Sequence, residues 1–219
     1  MKTDAALVCR YLGLPAQPGA ADAARTETVC EGMEAALTPL SSFRVFPLFE
    51  TEAGPKLGET GPVLSARSAR RLLKGCDRAA LLTVTLGFAF EALLRTASGR
   101  DMAEAVILDA CASAYLETAA DEAEEDIRKA TGAYLTDRFS PGYGDLPLSL
   151  QPAIVRLTDA EKRLGVHVLD SYQLTPSKTV TALIGMADTP RPALVRGCAH
   201  CAMNKTCPYR KGDGTCEAQ

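Results

Sequence analysis

The segment RAALLTVTLG, residues 78–87, restricts the fold more than any other part of the chain. Its apolar and β-branched residues follow one another without the alternation of a half-buried strand. It is therefore predicted to be a central strand covered on both faces. Residues 79–94 are the longest apolar stretch, but Thr83, Thr85, Gly87 and Glu91 interrupt it. It is also shorter than a membrane span, so it reads as core and no membrane partner is expected.

Around this strand the elements do not alternate regularly, and no internal repeat is visible. Residues 5–12 read as a short helix ended by Gly13 and Pro15, and residues 22–37 as a second helix ended by Pro39. FRVFPLFE, residues 43–50, is a predicted strand in which Pro47 favours an edge. TEAGPKLGETGP is a turn or hairpin loop. Ser65 is a candidate N-cap for a helix through Lys74, stopped by Gly75. Helices follow over residues 88–96 and 101–129. The longer one has Asp101 at its N-cap and Met102, Val106, Leu108 and Ala112 on its apolar side. A further helix is expected over residues 148–163, with Pro152 in its first turn and a second piece starting near Thr158. Two β-rich pieces, residues 167–172 and 179–186, flank the turn LTPSK. The order implies an α+β fold, a mostly antiparallel twisted sheet flanked by helices.

Nearly half of the residues are apolar, the formal net charge is -3 and there is no basic block, so nucleic acid is not an expected partner. The opening MKTDAALVCRYLG lacks the order of a signal peptide. Cys9, Cys30, Cys76 and Cys111 stand singly in apolar contexts and read as buried thiols. A disulfide-rich secreted protein spreads its pairs through the fold, whereas here the other four cysteines crowd near one end. Together these features point to the cytoplasm.

RFSPGYGDLP holds too many punctuating residues for a simple connector. Pro141 fixes one backbone angle, while Gly142 and Gly144 permit close approach and left-handed conformations. Arg138 and Tyr143 project from this stiffened loop. A guanidinium donates two parallel hydrogen bonds to a carboxylate, and a tyrosine face stacks on an adenine or sits beside a cation. Backbone groups around Ser140 are suited to reading an amino-acid head or an adenine edge. The chemistry suits a zwitterionic ligand carrying a nucleoside. The alternative is a tight surface turn with an ordinary salt bridge.

RFSPGYGDLPLSLQP followed by RLGVHVLDSYQLTPSKTVTALIGM resembles the activation domain of cobalamin-dependent methionine synthase. The matching elements are Arg138, Pro141, Gly142 and Tyr143, then Gly165 and Val166, then Pro176, Thr179 and Val180. VCRYLG, LLKGCDRAALLTVTLG and ILDACASAYLETAADEAEEDI resemble stand-alone members of that family, so the likeness spans roughly residues 7–186. The resemblance implies binding of S-adenosylmethionine in a shallow groove beside an antiparallel sheet. Arg138 would hold the methionine carboxylate, with Ser140, Pro141, Gly142 and Tyr143 around the ligand. It also implies the reaction: the domain presents S-adenosylmethionine to the partner's oxidised cobalamin while an electron donor supplies one electron. The chain would then be accessory to methionine synthase or a related corrinoid protein, sharing a site with it. Glu117 sits where the family's long helix offers a carboxylate towards the ligand. Yet Ser113, Glu117, Asp121, Glu124 and Arg128 also read as an ordinary solvated face. Tyr172 is placed either against the adenosine or in the core. The family's acidic N-terminal element has no clear counterpart, Asp4 being the nearest carboxylate.

Pro190 and Pro192 mark a linker, dividing residues 1–190, the activation-like domain, from a cysteine-rich tail of residues 191–219. In the tail, Cys198, Cys201, Cys207 and Cys216 have the clustering of a four-thiolate metal site. Zinc would make it a structural clip. A 4Fe–4S cluster fits Cys207 before Pro208. His200 reads as a bystander. A second functional class follows from this tail, a metal-binding interaction module that docks on or services another corrinoid protein. A conventional methyltransferase is disfavoured, because no glycine-rich loop follows the first strand of a parallel sheet.

Overall fold

The structure is a computed structural model and describes residues 2–14 and 19–191. Its elements, in order, are α1 (Ala5–Tyr11), α2 (Ala20–Ala36), β1 (Leu40–Phe49), β2 (Lys56–Leu57), α3 (Arg67–Leu73), β3 (Arg78–Thr85), α4 (Gly87–Arg100) and α5 (Met102–Thr131). There follow β4 (Tyr134–Leu135), a 3-10 turn (Leu148–Leu150), α6 (Gln151–Leu157), α7 (Ala160–Leu164), β5 (His167–Val168), β6 (Leu174–Thr175) and β7 (Thr179–Ala187). No described helix is long and apolar enough to cross a membrane.

The main sheet has the order β2-β1-β3-β7-β4, and each neighbouring pair is antiparallel. β3 lies at its centre, paired to β1 from Leu40↔Thr85 to Pro47↔Arg78 and to β7 from Arg78↔Met186 to Thr85↔Thr179. Its unbroken apolar run is thereby explained, because each face meets a different core. Ala80, Leu82 and Val84 join Ala182, Ile184 and Met186 in the cluster that includes α2, α4 and α5 residues. Ala79, Leu81 and Leu183 join the cluster built with α3 and α6. The strand threonines that enter the second layer are satisfied there. Thr83 Oγ1 meets Thr158 Oγ1 at 2.9 Å, and Thr181 donates to Gln151 at 2.5 Å. β1 has a strand partner on one side only along residues 40–47, which accommodates the missing N–H of Pro47.

α5 is the longest element and lies beneath the sheet. Asp101 caps it by accepting from Ala103 and Glu104 N–H groups, and Gly132, at φ 66°, ends it. Leu108 and Ala112 face the core as expected, but Met102 and Val106 are exposed. The buried stripe instead continues through Tyr115, Ala119, Ala123 and Ile127, so the apolar face is set further along the helix than its first turn suggests.

Three other expectations change. Ser65 does not cap α3, whose N-cap is Ala66 without a side-chain bond; the cap comes from a carboxylate 78 residues away, described below. The β piece expected over residues 167–172 is strand only at 167–168, and its partner β6 lies within the expected turn LTPSK; the two form a hairpin of their own. Cys30 and Cys111 are not free thiols but a disulfide joining α2 to α5, with Cα atoms 5.5 Å apart; Cys9 and Cys76 are free. Across 81 residues of sequence, a spacing of cysteines cannot reveal that two helices bring them face to face.

The predicted helix over residues 148–163 forms as three pieces, the 3-10 turn, α6 and α7, broken at Thr158 and at Asp159 with φ 55°. Cys198, Cys201, Cys207, Cys216 and His200 lie outside the described residues.

Candidate functional site

The loop of residues 138–146 follows the segment that runs along the edge of β7 away from β3. After α5 ends, β4 pairs with Ala187 and Met186, Thr136 bonds to Gly185 in both directions, and Phe139 exchanges two 2.9 Å backbone bonds with Leu183. Gly185 permits this approach. A Cβ there would stand 2.9 Å from Thr136 Cγ2 and 2.8 Å from Cys76 Sγ. The strand-like alternation sends Phe139 towards the α3 and α6 layer and Arg138 to the opposite side, against α5.

The turn itself is closed by Gly142 N–H donating to Leu146 C=O at 2.8 Å, Leu146 N–H to Tyr143 C=O at 3.1 Å and Tyr143 N–H to Ser140 C=O at 3.3 Å. Gly142 and Gly144 hold φ of 94° and 56°, conformations that disfavour any side chain. Pro141 is buried beneath them, and Tyr143 projects into solvent. Asp145 then fixes the loop to α3. Its carboxylate accepts from the backbone N–H of Arg67 at 2.8 Å and of Ser68 at 2.9 Å, and from the Ser68 hydroxyl. The Ser68 hydroxyl, then its N–H, hold Asp145 well below its ordinary range, down to about 2.

Arg138 folds inward rather than projecting. Its side chain is 9% exposed, and its two terminal nitrogens donate to Glu117 at 2.5 Å, to Asp121 at 2.5 Å and to Glu124. Glu124 is buried with it (10%), whereas Glu117 and Asp121 are 42% and 62% exposed. Burial acts to lower the Arg138 pKa, but the Asp121 hydrogen bond and the Glu124 charge outweigh it and raise the value. The polar face of α5 is thus a row of carboxylates that meets the loop at Arg138 while Glu117 and Asp121 stay partly solvated. One turn earlier the same row receives Lys178, whose ammonium lies 3.0 Å from Asp109, donates to Ser113 at 2.8 Å and sits over the Phe90 ring.

Tyr11, at the end of α1, completes this neighbourhood. Burial raises its pKa first, Glu117 adds to the rise, and Tyr143 and Arg138 are close enough to contribute. Arg138 and Glu117 are therefore brought together, while Tyr143 stands on the same loop with its side chain in solvent and Ser140 supplies a carbonyl already used inside the turn. Tyr11, Asp121, Lys178 and Asp145 were not singled out from sequence as site residues. The polar face Ser113, Glu117, Asp121, Glu124 and Arg128 was visible, but the two cations that answer its carboxylate side, Arg138 and Lys178, lie in distant turns. Asp4 caps α1, accepting from Ala6 and Leu7 N–H groups.

Tyr172 is exposed rather than in the core, and it is not at this loop. It lines an open cavity of about 630 Å³ with Phe88, Leu148 and Gln151. A smaller groove of about 370 Å³ runs between α1, α4 and α5, past Tyr11, Met102 and Val106. Among the described residues, no group of three or more His, Cys, Asp or Glu is arranged to hold a metal ion.

No protein-family model matches the chain, and no curated protein matches it. Its fold is similar to that of a solved structure, the MetH reactivation domain bound to AdoHcy. The TM-score is 0.68 with 16% identity, over 88% of this chain and 76% of that one. At that identity the likeness establishes the fold.

Proposed function

We propose that the chain binds S-adenosylmethionine beside the Arg138–Tyr143 loop and supports reductive remethylation of the cobalamin of a partner methionine synthase. The observation that carries this reading is the fold shared over 88% of the chain with a domain seen bound to AdoHcy. The loop RFSPGYGD, pinned at both ends, supplies chemistry of the right kind.

The residues of this chain would bind and orient. Tyr143 offers an exposed aromatic face for the adenosine or the sulfonium. Glu117 and Asp121, half open to solvent and anchored by Arg138, favour the cationic end of the ligand. Arg138 holds these carboxylates in place, and engaging a ligand carboxylate would require it to exchange partners. S-Adenosylmethionine supplies the methyl group and leaves as S-adenosylhomocysteine. One electron comes from a separate donor, and the acceptor is the partner's corrin. The tail cysteines Cys198, Cys201, Cys207 and Cys216 are proposed to hold zinc or an iron–sulfur cluster, which metal analysis of anaerobically purified protein decides.

Calorimetric titration with S-adenosylmethionine, with and without a cobalamin-dependent methionine synthase, tests the reading. Binding is expected, weakened about tenfold by Tyr143→Ala, the loss of roughly 1.4 kcal/mol of aromatic contact. No heat of binding in either mixture would remove the proposal.

A further inference from the structure

The cavity between α4, the 3-10 turn and the turn joining β6 to β7 contains a group for which the loop chemistry has no use. Gln151 lines it while being only 7% exposed. Its Oε1 accepts from Thr181 Oγ1 at 2.5 Å, which turns its NH2 the other way. No described group accepts from that NH2, yet among the described residues no fully buried side-chain nitrogen or oxygen lacks a partner. The NH2 therefore keeps some exposure, and on a residue that lines the cavity it is a donor left for a ring nitrogen or a carbonyl oxygen there.

Two aromatic side chains with open faces, Phe88 and Tyr172, share the cavity. Tyr172 is held at φ 64°, a backbone conformation costly for a residue with a side chain and typical of ligand clamps. At the rim stands Arg95, exposed on α4; it makes no hydrogen bond or close ion pair among the described residues, although its charge acts on the carboxylate of Glu91, which also lines the cavity. Glu91, one turn before it, is already engaged, its Oε1 accepting from Ser177 N–H at 2.8 Å. The Arg95 guanidinium is thus available to a phosphate, which it can grip through two parallel N–H bonds.

We infer that this cavity is a second ligand site and takes a mononucleotide. The base lies among Gln151, Phe88 and Tyr172, and the phosphate lies on Arg95. The site is independent of the proposed S-adenosylmethionine loop. Neither Arg138 nor Tyr143 lines it; the two regions adjoin at Leu148, which packs under Gly142, and at Lys178, which reaches the α5 row from between the cavity residues Ser177 and Thr179.

Calorimetry on the full chain with adenosine 5′-monophosphate, adenosine and ribose 5-phosphate tests this. The monophosphate is expected to bind at least about tenfold tighter than either fragment, each fragment lacking one anchor. Gln151→Leu and Arg95→Gln should each weaken it at least about fivefold, and Tyr143→Ala should leave it unchanged. Arg95→Gln and Tyr172→Ala replace exposed side chains, so a folding defect does not obscure the result. The inference is overturned by equal affinity for adenosine and its monophosphate, by indifference to Arg95→Gln, or by no binding at millimolar ligand. Competition by S-adenosylmethionine together with sensitivity to Tyr143→Ala also overturns it, since the cavity would then belong to the first site. A failure of S-adenosylmethionine to bind leaves the monophosphate result standing.

Discussion

Arg138→Ala perturbs the one buried cation that three carboxylates share. Removing one partner of a buried ion pair costs about 3–5 kcal/mol, because the other charge stays out of water. Only Glu124 is buried as deeply as Arg138; Glu117 and Asp121 are solvated enough to add little. The low end applies, about 3 kcal/mol at neutral pH. For a chain of this size that lowers Tm by roughly 6–12 °C. Thermal melts at neutral pH measure the effect. The double variant Arg138→Ala/Glu124→Gln should recover at least about half of the loss, since the buried carboxylate that faced the guanidinium is then neutral. A single variant within about 1 °C of wild type would refute the reasoning. The same numbers bear on ligand binding. Loss of S-adenosylmethionine affinity in Arg138→Ala reports on the carboxylate row as well as on any direct contact, and Tyr143→Ala is the cleaner probe.

Asp145 has a folded pKa of about 2, below its ordinary value of 3.8. Its clamp on α3 is therefore fully present above about pH 4 and is lost as pH falls through its folded value. The backbone amide resonances of Arg67 and Ser68 should titrate together with a midpoint near pH 2, and a midpoint near pH 4 would show that the clamp does not form. Alkylation of the denatured, unreduced protein followed by peptide mapping should leave Cys30 and Cys111 unmodified; labelling of both would show that the bond between α2 and α5 is not made.

The hydrophobic pattern identified the layers because burial writes itself locally. Arg78–Thr85 is apolar on both faces and lies in the centre, and the Asp101 cap and the Gly132 stop of α5 follow from the chemistry of those residues. Long-range closure left no such mark. The N-terminus of α3 is capped by Asp145, α2 is joined to α5 by Cys30 and Cys111, and β5 pairs with β6 in a separate hairpin. The site divides along the same line. Rigidity of the PGYG turn is written in its glycines and Pro141, but the inward fold of Arg138 depends on α5 lying beneath the β7 edge. Nothing within ten residues of Arg138 indicates that Glu117 and Asp121 will hold it.

The strand order has a consequence for how the chain is made. β7 sits between β3 and β4, so both wait for it. While residues up to 178 leave the ribosome, β3 presents a full edge of unpaired amides on one of the most apolar segments of the protein. An open edge of that kind recruits other strands. Nascent chains ending before Thr179 should therefore depend on holding factors, and chains carrying Ala187 clear of the exit tunnel should not.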